Sequence, residues 1–532
     1  MSGIGRASAI VGAGTLVSRV TGLVRNVVLA AALGTIGAEA ADAFAVAAQL
    51  PTNIYSLISS GLLAGVIVPQ IIKAGRDRDG GSAFVSKLLT LGVVALAAAT
   101  VIAVAAAPLL VHWYGARLGP EGIALTLAFA YWCMPQLLFY GLYALLGEIL
   151  NARSVFGPYA WSPIVNNLVS IAGFLAFIWI FGLHRDAVGW TPAMIALMGG
   201  TATLGIVAQT LVLLLFWRQA KLRVRPDFHW RGIGLRHIGR LAGWTFLMVV
   251  VGQLAGLLQT NLVGAASHEG ASVAAMQYAW LVFILPYSVV VLSIGTPYFT
   301  RLSEHVAAGR IDAVRDDLDS STRIIGVLMV GALAAIVAAI VPVSRIFTDT
   351  SGDAVQFALV LGAYLVALLP LSVQFVLQRT FYAYHDTRTP FLFTLVQCVL
   401  VVITAVAAYA MLPLALLAFG IALGQSLSNL VQLALAMGLL RRKIGPLGLR
   451  PAMLSLAKFV AAGIPAATAG WFGYQLLGGV DGWATADRGT AILSAAAVGG
   501  ATLVVYVAFL ALLRVPELQI AVRAVRRFLP GR

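Results

Sequence analysis

Residues 88–111 read LLTLGVVALAAATVIAVAAAPLLV, an unbroken run without a single charge. As a helix it rises about 36 Å, enough to cross the roughly 30 Å hydrocarbon core of a bilayer. Runs of this kind recur along the whole chain, and no other feature constrains its folding as strongly. In hydrocarbon every backbone N–H and C=O needs a partner within the protein, so long apolar runs become spanning helices. Only 10% of the 532 residues are charged and the mean hydropathy is +0.94. A soluble domain carries about 25% charge. The chain lacks the polar surface to face water, and we read it as an all-α polytopic membrane protein.

Fourteen segments satisfy this reading, at approximately 8–33, 40–72, 83–111, 122–150, 158–182, 192–217, 238–266, 272–302, 321–347, 354–384, 389–411, 413–440, 453–477 and 489–514. The connections between them sort by charge. Odd-to-even connections such as GTIGAEAA, HWYGARLGPEG, ASHEG and TDTSGD are short and nearly neutral. Even-to-odd connections such as KAGRDRDGG, WRQAKLRVRPDFHWRGIGLRHIGR and RRKIGPLGLR are basic, as is the C-terminal RAVRRFLPGR. Short basic loops stay in the cytoplasm, so both termini are expected there. The net charge of +15 is therefore a topology signal spread over many loops, and no nucleic-acid partner is expected.

Other chemistry is excluded by what the sequence lacks. Cys133 and Cys398 both lie in apolar runs and form neither a disulfide framework nor a zinc site. No signal-peptide cleavage pattern opens the chain. There is no GxxxxGK[ST] loop, Ser-His-Asp constellation or metal-ligand cluster. The expectation is a protein that binds and moves a ligand, with no enzyme activity and no cofactor.

The chain also echoes itself. LNARSVFGPYAWSPIVNNLV (150–169) and TFYAYHDTRTPFLFTLVQCVL (380–400) both run from a helix end through a polar turn and a Pro into another helix. VIVPQIIKAGRD (66–77) pairs with GTPYFTRLSEH (295–305), and GAGT (12–15) with LAGWT (241–245). All three pairs share nearly the same offset along the chain. We infer two six-helix lobes related by pseudo-twofold symmetry, 1–220 and 238–440. A basic linker at 221–237 joins them, and a helix pair with a basic tail follows at 441–532. Such repeats are common in transporters, with the substrate between the halves. In the turn FYAYHDTRTP, Asp386 and Thr387 are placed to cap the helix that Thr389-Pro390 begins.

Two arginines interrupt the first segment. Counting from residue 8, Arg19 lies about 16 Å in, near the bilayer centre, and Arg25 lies deeper. A mid-membrane Arg costs about 2.5–3.5 kcal/mol on the mildest scale, so both must face a partner or a wet cavity. Thr15, Ser18, Gly22 and Arg25 form one polar stripe, and Gly12, Arg19 and Asn26 the next. Asp42 opens the second segment, either to pair with Arg25 or to cap its helix. A guanidinium offers a rigid fork to phosphate and carboxylate, which favours an anionic substrate.

SRVTGLVRN (18–26), ADAFAVAAQLP (41–51) and VPQIIKAG (68–75) resemble the N-terminal signature of the MurJ (MviN) family, and FYAYHDTRTP resembles that family's turn after its tenth helix. The family comprises lipid II flippases of the multidrug/oligosaccharidyl-lipid/polysaccharide exporter superfamily. The resemblance implies transport of undecaprenyl-diphosphate-linked peptidoglycan precursor (lipid II) from the cytoplasmic to the outer leaflet by alternating access, in the bacterial cytoplasmic membrane. It implies a role in cell-wall synthesis and cell shape, with lipid II, membrane lipids and cell-wall synthesis proteins as partners. It assigns the substrate cavity to Arg19, Arg25 and Asp42. Ser18 and Asn26 flank these, with Asn53, Gln259 and Asn261 as further candidates. This chain departs from the pattern in three places. PTNIYSLISSG carries no base after Pro51, QYAWLVFILP has Trp280 and Leu281 where an Arg is usual nearby, and Gln259 replaces an acid before Thr260-Asn261. The alternatives are a flippase for another lipid-linked glycan, a drug/cation antiporter of the same superfamily, and a non-transporting cell-wall scaffold.

Overall fold

A computed structural model describes residues 3–62, 71, 73–75, 79–229 and 235–518. The echo at 66–77 and the basic tail lie mostly or wholly outside the described residues. Every regular element described is helical, and the contacts divide the chain into two units at His268.

The first unit holds α1 (Gly3–Leu33), α2 (Glu39–Leu62), α3 (Ser82–Ala105), α4 (Ala107–Gly115), α5 (Pro120–Cys133), α6 (Gln136–Ala152), α7 (Gly157–Phe181), α8 (Pro192–Leu215) and α9 (Leu235–Val263). The second holds α10 (Val273–Pro286), α11 (Leu292–Ala307), α12 (Ile311–Ala338), α13 (Ile340–Phe347), α14 (Ser351–Leu365), α15 (Leu368–Ala383), α16 (Arg388–Met411), α17 (Leu414–Ile444), α18 (Arg450–Leu476) and α19 (Arg488–Leu512). Helix α9, the seventh segment of the sequence, groups with the first unit because it packs along α2 and α4.

Four of these boundaries are breaks within one apolar run. They separate α3 from α4, α5 from α6, α12 from α13 and α14 from α15, and Pro108, Pro135, Pro342 and Pro370 lie at or just after them. Proline lacks the N–H and clashes with the preceding turn, so the helix restarts around it. The breaks recur in the same order in both units. Among the described residues, thirteen stretches are long and apolar enough to span a membrane, with α5–α6, α10–α11 and α14–α15 each counted as one. The protein is therefore a multi-pass membrane protein. The second of the fourteen predicted segments, 40–72, is described only in part, and its described part, α2, is not among the thirteen.

The connections gather by parity within each unit. In the first, Gly119 N–H donates to Glu39 Oε1 (3.0 Å), Ala40 N–H to the Arg185 carbonyl (2.9 Å), and Asn261 to the Trp113 carbonyl (2.8 Å). These join odd-to-even connections at one end. At the other, Arg153 donates to the Gly80 carbonyl and Arg223 N–H to Ser82 Oγ (3.3 Å). The second unit repeats the sorting. Arg345 donates to the Thr485 carbonyl (2.9 Å) and Arg488 pairs with Asp349 (2.6 Å) at one end. Lys443 pairs with Asp386 (2.5 Å) and Arg315 donates to the Ile444 carbonyl (2.8 Å) at the other.

The echoing turns after α6 and α15 are built alike. Ser154 and His385, both non-glycine, sit at φ +62° and +56°. Val155 N–H returns to the Leu150 carbonyl and Ser154 N–H to that of Asn151. In the second turn Asp386 N–H returns to the Phe381 carbonyl and His385 N–H to that of Tyr382. This is the helix-ending pattern in which a left-handed residue satisfies the last free carbonyls. Asp386 then accepts from Thr389 N–H (3.0 Å) and Thr389 Oγ1 (2.9 Å), as a cap should. Thr387 makes no side-chain cap, so that half of the expectation is not met. Helices α18 and α19 pack on α12 through Phe459, Tyr506, Val327 and Val330, with the Tyr506 hydroxyl donating to the Val327 carbonyl (2.9 Å).

Candidate functional site

All eight residues singled out from the sequence lie in the first unit. Helix α1 is 31 residues long and Arg19 sits near its middle. One side of α1 is sealed against α7. Gly14 lets the indole of Trp161 approach so closely that a Cβ there would stand 2.7 Å from its Nε1. One turn on, Asn167 Nδ2 donates to the Ser18 carbonyl (3.0 Å) and to Thr21 Oγ1 (2.9 Å). Ser18 and Gly22 thus belong to a helix–helix seam, held by the side-chain-to-backbone hydrogen bonds typical of membrane bundles. Asn26 turns inward on its own helix and donates to the Gly22 carbonyl (2.8 Å).

Arg19 lies outside that seam. Its side chain is exposed and makes no hydrogen bond or ion pair among the described residues. Arg25 is half-buried and acts electrostatically on the Tyr140 hydroxyl of α6. The two arginines therefore differ: one guanidinium is open and the other is held among protein groups.

Asp42 and Asn261 meet the rest of the unit at its neutral end. Asp42, 1% exposed in the first turn of α2, accepts from Ser267 Oγ (2.5 Å) just past α9. Asn261 Oδ1 accepts from Arg117 Nε (3.2 Å) while its amide reaches the Trp113 carbonyl. Farther along α2, Asn53 donates to the Tyr114 hydroxyl (3.1 Å), and Gln253 of α9 donates to Ser56 Oγ (2.6 Å). Gln259 is half-buried on α9. A chain of polar links thus holds α9 to α2 and α4.

Sequence reading missed Glu39. It is 6% exposed, three residues before Asp42, and takes Gly119 N–H with His268 Nε2 at 3.5 Å. Gly119 and Gly122 make room for it, since a Cβ on Gly122 would stand 2.3 Å from its Oε1. The i, i+3 spacing of the two acids in GAEAAD is visible in the sequence. Their partners Gly119 and Ser267 are not, because they lie 80 and 225 residues away.

The family model for the lipid II flippase MurJ matches residues 29–484. The chain belongs to the MurJ family. A probable lipid II flippase MurJ of Synechocystis sp. is 26% identical over 531 residues, covering 96% of this chain and 95% of that protein. A probable lipid II flippase MurJ of Rhizobium tropici is 27% identical over 408 residues, 72% of each chain. Among solved structures, a lipid II flippase MurJ in an inward closed conformation superposes with a TM-score of 0.73 at 18% identity, covering 95% of this chain and 98% of that one. An inward-facing multidrug resistance MATE family transporter of the MOP superfamily gives 0.61 at 14% identity, covering 80% of this chain and 95% of the other. The MurJ fold thus extends over nearly the whole chain. Arg19 and Arg25 precede the residues that the MurJ family model matches, so their roles rest on their own geometry.

Proposed function

We propose that this chain moves lipid II from the cytoplasmic to the outer leaflet of a bacterial cytoplasmic membrane by alternating access, with both termini in the cytoplasm and without enzymatic turnover. The substrate cavity forms against α1, and the repeated lobes 1–220 and 238–440 rock about it. The observation that carries the reading is the open Arg19 guanidinium on a membrane-spanning helix, in a chain of the MurJ family. An arginine held in the membrane with no partner among the described residues suits a wet cavity and an anionic head group, and its fork fits a diphosphate. Arg25, held near Tyr140, borders the same cavity. The polar links from α9 to α2 and α4 are the contacts that break when the neutral, extracytoplasmic end opens. Cell-wall synthesis proteins are the natural protein partners of such a flippase.

Complementation tests this. In cells depleted of their own flippase, the chain should restore growth and outer-leaflet lipid II. Arg19→Ala should reduce both while protein abundance is unchanged, because losing a charge-assisted contact costs about 1.5–3 kcal/mol, roughly ten- to a hundredfold in affinity. Arg19→Lys, which keeps the charge without the fork, should retain part of the activity. Normal flipping by a well-expressed Arg19→Ala, Arg25→Ala double variant would remove the arginines from the mechanism.

A further inference from the structure

The described part of the basic linker after α8 does not hang free. Residues 222–229 run extended along α3. Arg223 N–H donates to Ser82 Oγ (3.3 Å), Arg225 N–H to Ser86 Oγ (3.1 Å) and Asp227 N–H to Thr90 Oγ1 (2.9 Å). The match is geometric. Alternate N–H groups of an extended chain recur about every two strand rises, and residues four apart on a helix recur about every four helix rises; the two distances are nearly equal. Three hydroxyls spaced i, i+4, i+8 therefore serve as a ladder for one strap. Leu222 and Val224 anchor it from the opposite side in the cluster of Ile71, Val85, Leu150 and Leu213.

The strap ends about 12 Å along a helix that is apolar enough to span a membrane. Its outward side chains are two kinds: the exposed Arg223 and Arg225, and an aromatic, Phe228, which is 64% exposed. An open cavity of about 500 Å³ lies between strap and helix, lined by both arginines, Ser82, Ser86 and Phe228. The two serine hydroxyls accept from the strap but donate to no described residue, so their protons are available. The one carboxylate in the wall, Asp227, is engaged by His229 N–H and Nδ1, both at 2.9 Å.

We propose that this cavity binds the phosphate of an anionic phospholipid of the leaflet facing the basic loops, with Arg223, Arg225 and the Ser82 and Ser86 hydroxyls on the phosphate and Phe228 against the acyl chains. The charge complementarity is direct: anionic lipids concentrate in the cytoplasmic leaflet and attract basic segments at its surface. An aromatic ring beside them fits the level where head group meets hydrocarbon. The site lies apart from α1, and its occupant is a resident membrane lipid rather than the transported one.

Native mass spectrometry of the detergent-solubilised full chain, titrated with phosphatidylglycerol, tests this. The wild type should hold one phosphatidylglycerol that phosphatidylcholine does not replace. Arg223→Gln and Arg225→Gln should each weaken it about tenfold. The control Arg441→Gln, Arg442→Gln, which removes two exposed arginines at the end of α17, should leave that affinity unchanged. Phe228→Ser, which keeps every charge, should also weaken it. Unchanged affinity in the Arg223→Gln, Arg225→Gln double variant, equal loss in the control, or equal binding of phosphatidylcholine would overturn the proposal. Displacement of the lipid by millimolar inorganic phosphate would also overturn it, by making the cavity an ion site.

Discussion

Glu39 is nearly dry, yet among the described residues no buried base balances its carboxylate. It relies on Gly119 N–H, on His268 and on the space left by two glycines. A Gly122→Ala methyl would stand 2.3 Å from Oε1, so the carboxylate must leave its N–H partner or α5 must shift. Overpacking and loss of a charged hydrogen bond each cost about 1–3 kcal/mol. Gly122→Ala should therefore lower the unfolding temperature in detergent. Gly252→Ala, on α9 with nothing within 4 Å of the new methyl, should leave it unchanged or slightly raised. Equal effects from the two would mean that Glu39 has room to move. At this scale the sequence is half legible. The cost of an arginine in hydrocarbon marks Arg19 and Arg25 without any structure, but whether each is open or held depends on α6 and α7, whose facing residues no local pattern announces. Ser18 and Asn26 share a polar face with the two arginines; in the structure the Ser18 carbonyl accepts from Asn167 of α7, and the Asn26 amide donates to its own helix at Gly22.

Elements are more legible, because their causes are local. The prolines that break α3–α4, α5–α6, α12–α13 and α14–α15 can be read directly, and so can the turn FYAYHDTRTP. Burial pushes the Asp386 carboxyl up, but the Lys443 ammonium and the two Thr389 hydrogen bonds more than offset it and hold the carboxyl below its usual range. A carboxyl held low in the folded state contributes stability that is fully present above its unfolded value, about 3.9, and is lost as pH falls through the folded value. Asp386→Asn should cost about 1 kcal/mol near neutral pH, and the difference from wild type should shrink below about pH 4. Thermal unfolding in detergent between pH 3 and 7 measures this; a constant difference across that range would exclude a titrating cap. The links along α9 are less legible, since they join distant segments: Ser56 and Gln253 are 197 residues apart. If α9 moves against α2 during transport, a disulfide between Ser56→Cys and Gln253→Cys should stop flipping under oxidation, and reductant should restore it. Unimpaired flipping by the fully oxidised pair would mean that α9 and α2 move together.

At the scale of the whole molecule, loop charge and loop geometry agree in parity. Connections that the sequence sorts as neutral meet one another at one end of each unit, and those it sorts as basic meet at the other. Helix α2 decides how this becomes a topology. It is described only as far as Leu62; Glu39 and Asp42 at its start join neutral connections, while Gly80, beyond it in the chain, joins a basic one. A segment that starts among the neutral connections and leads into a basic one is expected to cross the membrane. The polar residues in its middle, Gln49 and Asn53 among them, are tolerable where they face protein or water rather than lipid. With α2 crossing, the expected total is fourteen, and an even number would return the C-terminus to the side of the N-terminus. Reporter fusions at the N-terminus and at residues 78, 230, 310 and 445 should all read cytoplasmic, and those at 118, 186 and 484 extracytoplasmic. The pair that discriminates is the N-terminus and residue 78. If α2 crosses, they share a side. If α1 alone crosses before residue 78, they read opposite, thirteen crossings remain, and the two termini lie on opposite faces of the membrane.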